Sequence, residues 1–249
     1  MSEDCGYDPD WWKSAKAESL SRKQRQVSAS ALAQPGDAFL IVTEGTVAEP
    51  YYFEQLRRTL ELSLVHVQVQ PGDASDPRHV IETAARIAKD QVKRAKRGEL
   101  QIDEPEKFDQ VFAVIDTDVA VRQSHWNDVV QLARARKVRL APSMPCFEFW
   151  LLLHLGYTTR TDLVDGDSAK SVLKHALGCD YAKNADTTRA AIDKLLPKWP
   201  EAVVHSERVC DHHAKAATPP PANPSTEVGR LVRALNDAAL AHLRKLSGR

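Results

Sequence analysis

Cysteine is scarce and scattered. Four residues, Cys5, Cys146, Cys179 and Cys210, are spread over 249 positions without a CxxC pair. That spacing excludes a disulfide-framed secreted module and reads as reduced cytosolic thiols. Net charge is also missing: 34 basic residues face 34 acidic ones, so any grip on nucleic acid must come from local patches. Aromatics make up only 6% of the chain, and no stacking platform for single strands stands out. Glycine-rich phosphate loops and internal repeats are absent. The longest apolar run, "FEFWLLLHL" at 147–155, is broken by Glu148 and falls short of the roughly 20 residues that span a bilayer. The opening "MSEDCGYDPDWWKSAK" lacks the apolar centre of a signal peptide. A cytoplasmic protein with no membrane contact is expected. With 43% hydrophobic residues, the chain has material for a sizeable core.

What is present falls into three parts. Residues 1–37 are polar and aperiodic and read as an N-terminal arm, with five basic residues between Lys13 and Arg25. From 38 to 160 strand and helix patterns alternate. Phe39–Val42 is a short apolar strand, and Tyr52, Leu56 and Leu60 mark one face of the helix after it. Val65, Val67 and Val69 alternate as in a strand. Asp76-Pro77 caps a helix striped by Ile81, Ala84, Ala85, Ala88, Val92 and Ala95 and stopped by Gly98. "QVFAVID" (110–116) is a buried strand, Ser124 a candidate cap for a helix through Trp126 and Ala133, "KVRLAP" (137–142) a fourth strand, and "CFEFWLLLHL" a buried helix. Four such alternations predict an α/β fold, a parallel sheet flanked by helices. Beyond 160 strand signals vanish. Helices are expected near 168–178, 187–196, 200–216 and 226–246, the last capped by Ser225, so that 161–249 forms a C-terminal helical region.

Carboxylates sit where the strands end. Glu44 closes the first strand and is followed by Gly45; Asp116 and Asp118 ("VIDTD") close the third. In a parallel sheet these ends emerge on one edge, where ligands bind at a switch in strand order. Converging acids raise one another's pKa, and a shared divalent cation removes that repulsion. Mg²⁺ suits hard oxygen ligands and leaves waters for substrate phosphates. The alternative is that Glu44 and Asp118 are helix caps. Glu49 either completes such a site or favours the start of its own helix. Glu148, within an apolar stretch, either binds metal or pairs with a buried cation such as His154; His154 itself reads as a satisfied core histidine.

An apolar strand ending in Glu-Gly, with a later one ending in DxD, resembles the Toprim domain of topoisomerases, primases and OLD-type nucleases. The blocks "LIVTEGTVAEPYYFEQL", "VFAVIDTD", "APSMPCFEFWLLLHL" and "NPSTEVGRLVRAL" are similar to those of RloB-like proteins, from about residue 38 to 240. The resemblance implies a Toprim-like core, a nuclease centre dependent on Mg²⁺ or Mn²⁺, action on DNA or RNA (transfer RNA included) in anti-phage defence, and an ATPase partner from the same locus. It places Glu44 as ligand or general base and Asp116 and Asp118 as ligands, with Glu49 and Glu148 as further candidate ligands. Thr43 stands where the family often has Cys, and Val119 and Ala120 follow the DxD where it carries another acid.

A nuclease must also hold phosphates. Lys93, Arg94, Lys96 and Arg97 form one basic cluster with Lys89, and Arg134, Arg136, Lys137 and Arg139 a second. Either is also what the exposed C-terminal end of a helix looks like. Lys183 or Arg57 is a candidate cation for the transition state. His205, Cys210, His212 and His213 have ligand types that suit zinc but no finger spacing, and read as a polar helix face. A Mg²⁺-dependent nucleotidyl or phosphoryl transferase, or a non-catalytic subunit that binds nucleic acid or the ATPase, remain the competing readings.

Overall fold

A computed structural model describes residues 38–60, 62, 66–71, 76–101, 104–182 and 184–247. The expected arm at 1–37, Lys183 and Val65 lie outside these residues.

The strand β1 (Ala38–Thr43) is buried along its whole length. Phe39 and Ile41 enter one core cluster, Ala38, Leu40 and Val42 the other. A strand buried on both faces belongs in the middle of a layered fold, and β1 lies between β2 (His66–Pro71) and β3 (Gln110–Asp116). With β4 (Arg139–Met144) and the two-residue β5 (Ser225–Thr226), the sheet order is β2-β1-β3-β4-β5. The first four strands are parallel, and β5 is antiparallel to β4. The chain moves one way from β1 to β2 and the other way to reach β3. The switch in strand order therefore falls between β1 and β3.

One face carries α2 (Pro77–Lys96), the short α3 (Asp118–Arg122) and α4 (Trp126–Arg136). Asp76 accepts the backbone N–H of Arg78 at 2.8 Å and starts α2. The other face carries α1 (Ala48–Thr59), α5 (Phe147–Leu153), α6 (Gly166–Leu177), α7 (Ala185–Leu195), α8 (Trp199–Lys215) and α9 (Val228–Ser247). One cluster there joins Phe39, Ile41 and Val114 of the sheet to Val203, Val228 and Leu231 of the last two helices. The C-terminal helices thus cover a sheet face that would otherwise meet water. Capping boxes at Asp165/Ser168 and Asn184/Thr187 start α6 and α7.

Three local expectations need correction. Ser124 makes no cap; it sits in a left-handed turn at φ 59°, and α4 begins without a side-chain cap. Beyond residue 160 one strand does occur, the edge pair Ser225–Thr226, and at the start of α9 it is the Thr226 hydroxyl, not Ser225, that accepts the Val228 N–H at 3.2 Å. Two residues carry no periodic signal, which hides such a strand from pattern reading. The fourth strand is also shifted two residues towards the C-terminus. Cys146, Cys179 and Cys210 are free thiols, and no helix among the described residues is long and apolar enough to cross a membrane.

Candidate functional site

Adjacency of β1 and β3 places their ends side by side. Glu44 N–H extends the ladder one residue by donating to Val114 O at 3.0 Å. Its side chain then turns to β3, where Oε2 accepts the N–H of Asp116 at 3.0 Å. Asp116 in turn reaches β4's continuation: its Oδ1 accepts the N–H of Phe147, the first residue of α5, at 2.9 Å. Glu49 comes back from the first turn of α1 to accept the Gly45 N–H at 3.0 Å. Glu148, one residue into α5, accepts from the Tyr181 hydroxyl at 3.1 Å. Four carboxylates thus meet at the switch point, on the edge where the parallel strands end.

Glycine at 45 has a steric cause. A Cβ there would lie 2.1 Å from Glu49 Oε2 and 2.5 Å from its Cδ. The Glu49 carboxylate occupies the space a side chain would need. Thr43, fully buried, donates from its hydroxyl to Gly45 O at 2.9 Å and holds this loop.

The four acids act on one another. Burial first, then repulsion from Glu49 and Asp118, pushes Glu44 up to about 7, against the opposing hydrogen bond from Asp116 N–H. Burial also pushes Glu49 up to about 7, with the Glu148 charge adding to it and Lys170 of α6 opposing it. Asp116 is raised well above the carboxylate range by burial and by Glu49, Glu44 and Glu148. Tyr181 stays protonated, because burial and the Glu148 charge hold its phenol far above its ordinary value. The neighbouring Cys146 thiol is raised for the same two reasons, which makes it a poor nucleophile.

Asp118 stands apart from this group. Its Oδ1 accepts the Val119 N–H at 2.7 Å, and its Oδ2 pairs with Arg122 at 3.0 Å. Its charge reaches Glu44, and it is not among the largest influences on Glu49. As the side chains stand, no group of three or more His, Cys, Asp or Glu among the described residues is arranged to hold a metal ion. The donors nonetheless fit a hard divalent cation in kind: carboxylate oxygens, desolvated and mutually repelling. Each of the inner four spends one oxygen on a backbone or phenol donor and keeps the other for an ion, and ligation by three would require side chains to move.

The other sequence candidates lie elsewhere. Asp76, just before α2, is close enough to raise Glu44, so α2 starts at this edge. Its 20 residues carry its far end about 30 Å away at 1.5 Å per residue. Lys93, Arg94, Lys96 and Arg97 sit there, away from the carboxylates. Lys93 pairs with Asp90 at 2.8 Å, Arg94 with Glu104 at 2.7 Å, and Arg97 lies 3.9 Å from Glu99. The second run is spent on other partners: Arg136 grips Glu82, the sixth residue of α2, with contacts as short as 2.7 Å, and Arg139 bonds Gln110 at the start of β3 at 2.8 Å. Arg57 is paired with Glu54 at 2.9 Å. His154 is a core residue: burial lowers its pKa to about 3, so the neutral ring donates to Trp150 O and accepts from Tyr52, both at 3.1 Å. It does not meet Glu148. Of the 205–213 group, His205 bonds Leu153 O at 2.7 Å and His213 bonds Pro224 O at 2.8 Å.

The profile of the RloB-like protein family matches residues 39–235. That span holds every residue of the site. The chain belongs to the RloB-like family. No curated protein and no solved structure matches it. Within the family blocks, the structure adds residues that sequence reading passed over: Tyr181, Lys170 and Arg122. Arg122 had a readable signal, since it stands four residues after Asp118, the spacing of an ion pair on a helix. Tyr181 and Lys170 follow no motif; α6 packs its Ala169 and Leu173 into the core with Gly166 facing Cys146 Sγ, which brings Lys170 and, beyond the helix, Tyr181 to the site.

Proposed function

We propose that this chain hydrolyses phosphodiester bonds of nucleic acid with the help of a divalent cation, Mg²⁺ or Mn²⁺, as an effector of anti-phage defence. The observation that carries this reading is the meeting of Glu44, Glu49, Asp116 and Glu148 at the switch point, with Glu44 and Glu49 pushed up to about 7. Clustered buried acids destabilise a fold unless a counter-charge joins them. The bound ion would supply that charge and lower the pKa of a water for in-line attack on phosphorus. Glu44, Glu49, Asp116 and Glu148 would hold it, with Asp118 recruited from the edge. The Tyr181 hydroxyl steadies Glu148, and Lys170 supplies positive potential beside Glu49. The basic cluster of α2 is too remote to touch the phosphate being cut, so it would serve a more distant part of a long substrate. The Glu-Gly and DxD strand ends agree with a Toprim-type centre, and family membership favours a partner ATPase.

The test is incubation of the purified protein with labelled plasmid, transfer RNA and single strands in Mg²⁺, Mn²⁺ or EDTA. Cleavage of at least one substrate that EDTA abolishes is expected. A product carrying label from a nucleotide would instead indicate a transferase. A second reading rests on the lack of a ready ligand group among the described residues: a subunit that binds nucleic acid and whose site closes only with its ATPase. It predicts no turnover alone and metal-dependent turnover when the partner is added.

Gly45→Ala tests the role of Glu49. The new methyl would drive the Glu49 carboxylate off the Gly45 N–H. The variant is expected to fold, with its melting temperature within a few degrees of wild type. Its metal-dependent cleavage should fall about tenfold or more, as for loss of a ligand's supporting contact. Matched circular dichroism and cleavage assays check both halves.

A further inference from the structure

The carboxylates at this edge differ in what neutralises them. Glu44, Glu49 and Asp116 accept backbone N–H groups, and Glu148 accepts a phenol. Asp118 alone among these five is bonded to a cation, Arg122 Nη2 at 3.0 Å. That pair is lopsided. The Asp118 side chain is 12% exposed and that of Arg122 is 60% exposed. The carboxylate is also fixed without its partner, because Oδ1 takes the Val119 N–H at 2.7 Å. The guanidinium can therefore leave while the carboxylate stays. It has somewhere to go: Asp165, at the start of α6, already feels the Arg122 charge beside its own bonds to Ser168.

We propose that Arg122 is a displaceable counter-ion, which occupies Asp118 until a divalent cation takes its place and is then released to meet the anionic substrate. This rests on the metal-dependent reading above. Arg122 is placed here as a positioning residue. It keeps one edge ligand out of the repelling cluster while the metal is absent. Its release adds a fork-shaped cation that suits a phosphate. Metal binding must break the ion pair, so the pair competes with the metal.

The experiment is Mn²⁺ titration of the full chain, following the free-ion electron paramagnetic resonance signal, for wild type, Arg122→Ala, Asp118→Asn and the double variant. Exposed pairs are weak, and the corresponding gain is modest: Arg122→Ala should bind Mn²⁺ about threefold more tightly. The gain should disappear in the Asp118→Asn background. Arg122→Ala should also bind a short labelled oligonucleotide several-fold more weakly in Ca²⁺. Arg122→Gln, which keeps the stem, serves if the alanine variant fails to fold. Unchanged or weaker Mn²⁺ binding in Arg122→Ala, or a gain that persists without Asp118, overturns the inference. Glu44→Gln and Asp116→Asn separate the two layers of argument. If wild type binds no Mn²⁺, or if these variants bind it as well as wild type, the metal reading falls and this inference with it. If they weaken binding while Arg122→Ala changes nothing, the inference alone falls.

Discussion

Asp116→Asn is expected to reduce metal-dependent cleavage by roughly 10²- to 10³-fold, the scale of removing one preorganised electrostatic group from an active site. The substitution is nearly isosteric. An amide oxygen at Oδ1 still accepts the Phe147 N–H, now at 2.9 Å, so the start of α5 keeps its partner. What disappears is the one carboxyl on which Glu44, Glu49 and Glu148 all act, and with it the negative charge it would present to a bound cation. A ligand lost from the middle of the group weakens the hold on the ion from every side. Glu44→Gln should behave alike, since its amide oxygen can still accept the Asp116 N–H. Asp118→Asn should cost less, because Asp118 lies at the rim, bonded to the Val119 N–H and Arg122 and not within the inner four. Single-turnover assays with labelled nucleic acid at saturating Mn²⁺, alongside thermal melts, give the ranking. Cleavage by Asp116→Asn at the wild-type rate would assign the activity to another site or a contaminant.

That ranking differs from the one the motif alone suggests, and the difference shows what a sequence holds. The four-fold alternation of apolar runs, the Glu-Gly turn and the DxD are local, and they stand within a residue or two of where they were expected, with the fourth strand two residues on and Asp118 opening a helix. Convergence is not local. Whether Glu44 meets Asp116 depends on β1 pairing with β3 and not only with β2, which no periodicity reports. Glu49 was an open alternative because an acid in a first helical turn has an ordinary reason to be there, and Glu148 because an acid in an apolar stretch is served by a buried cation as well as by a metal. Burial and mutual charge distinguish them from such acids. Asp118 shows the reverse: its motif position is right, but a neighbour four residues on claims its oxygen. The basic clusters were legible as charge and illegible as place. The length of α2 carries Lys93 to Arg97 roughly 25–30 Å from the edge where that helix starts, and composition carries no such distance.

The same crowding that would recruit a cation should weaken the fold without one. Glu49→Gln is therefore expected to stabilise the metal-free protein, and increasingly so as pH rises. Glu49 is 7% exposed, and in the folded state it titrates near 7 instead of the ordinary 4.5. A carboxyl with a raised folded pKa favours folding at pH below 4.5, where it is neutral in both states. That contribution is lost as pH climbs through about 7, because the folded state must then carry a charge that burial and Glu148 disfavour. In EDTA, wild type should lose stability between about pH 5 and pH 8. The Gln variant keeps an amide oxygen for the Gly45 N–H and should lose less. The gap would be near zero at pH 4 and reach about 1–3 kcal/mol at pH 8, the upper end being the full shift and the lower allowing for relaxation of coupled neighbours. Urea unfolding across that range measures it. Saturating Mn²⁺ should close the gap or reverse it, since the ion stabilises the four-carboxylate form through binding and finds one ligand fewer in the variant. A Gln variant less stable than wild type at pH 8 in EDTA would mean that the Glu49 charge is satisfied inside the fold, and the case for a missing cation would lose its physical basis.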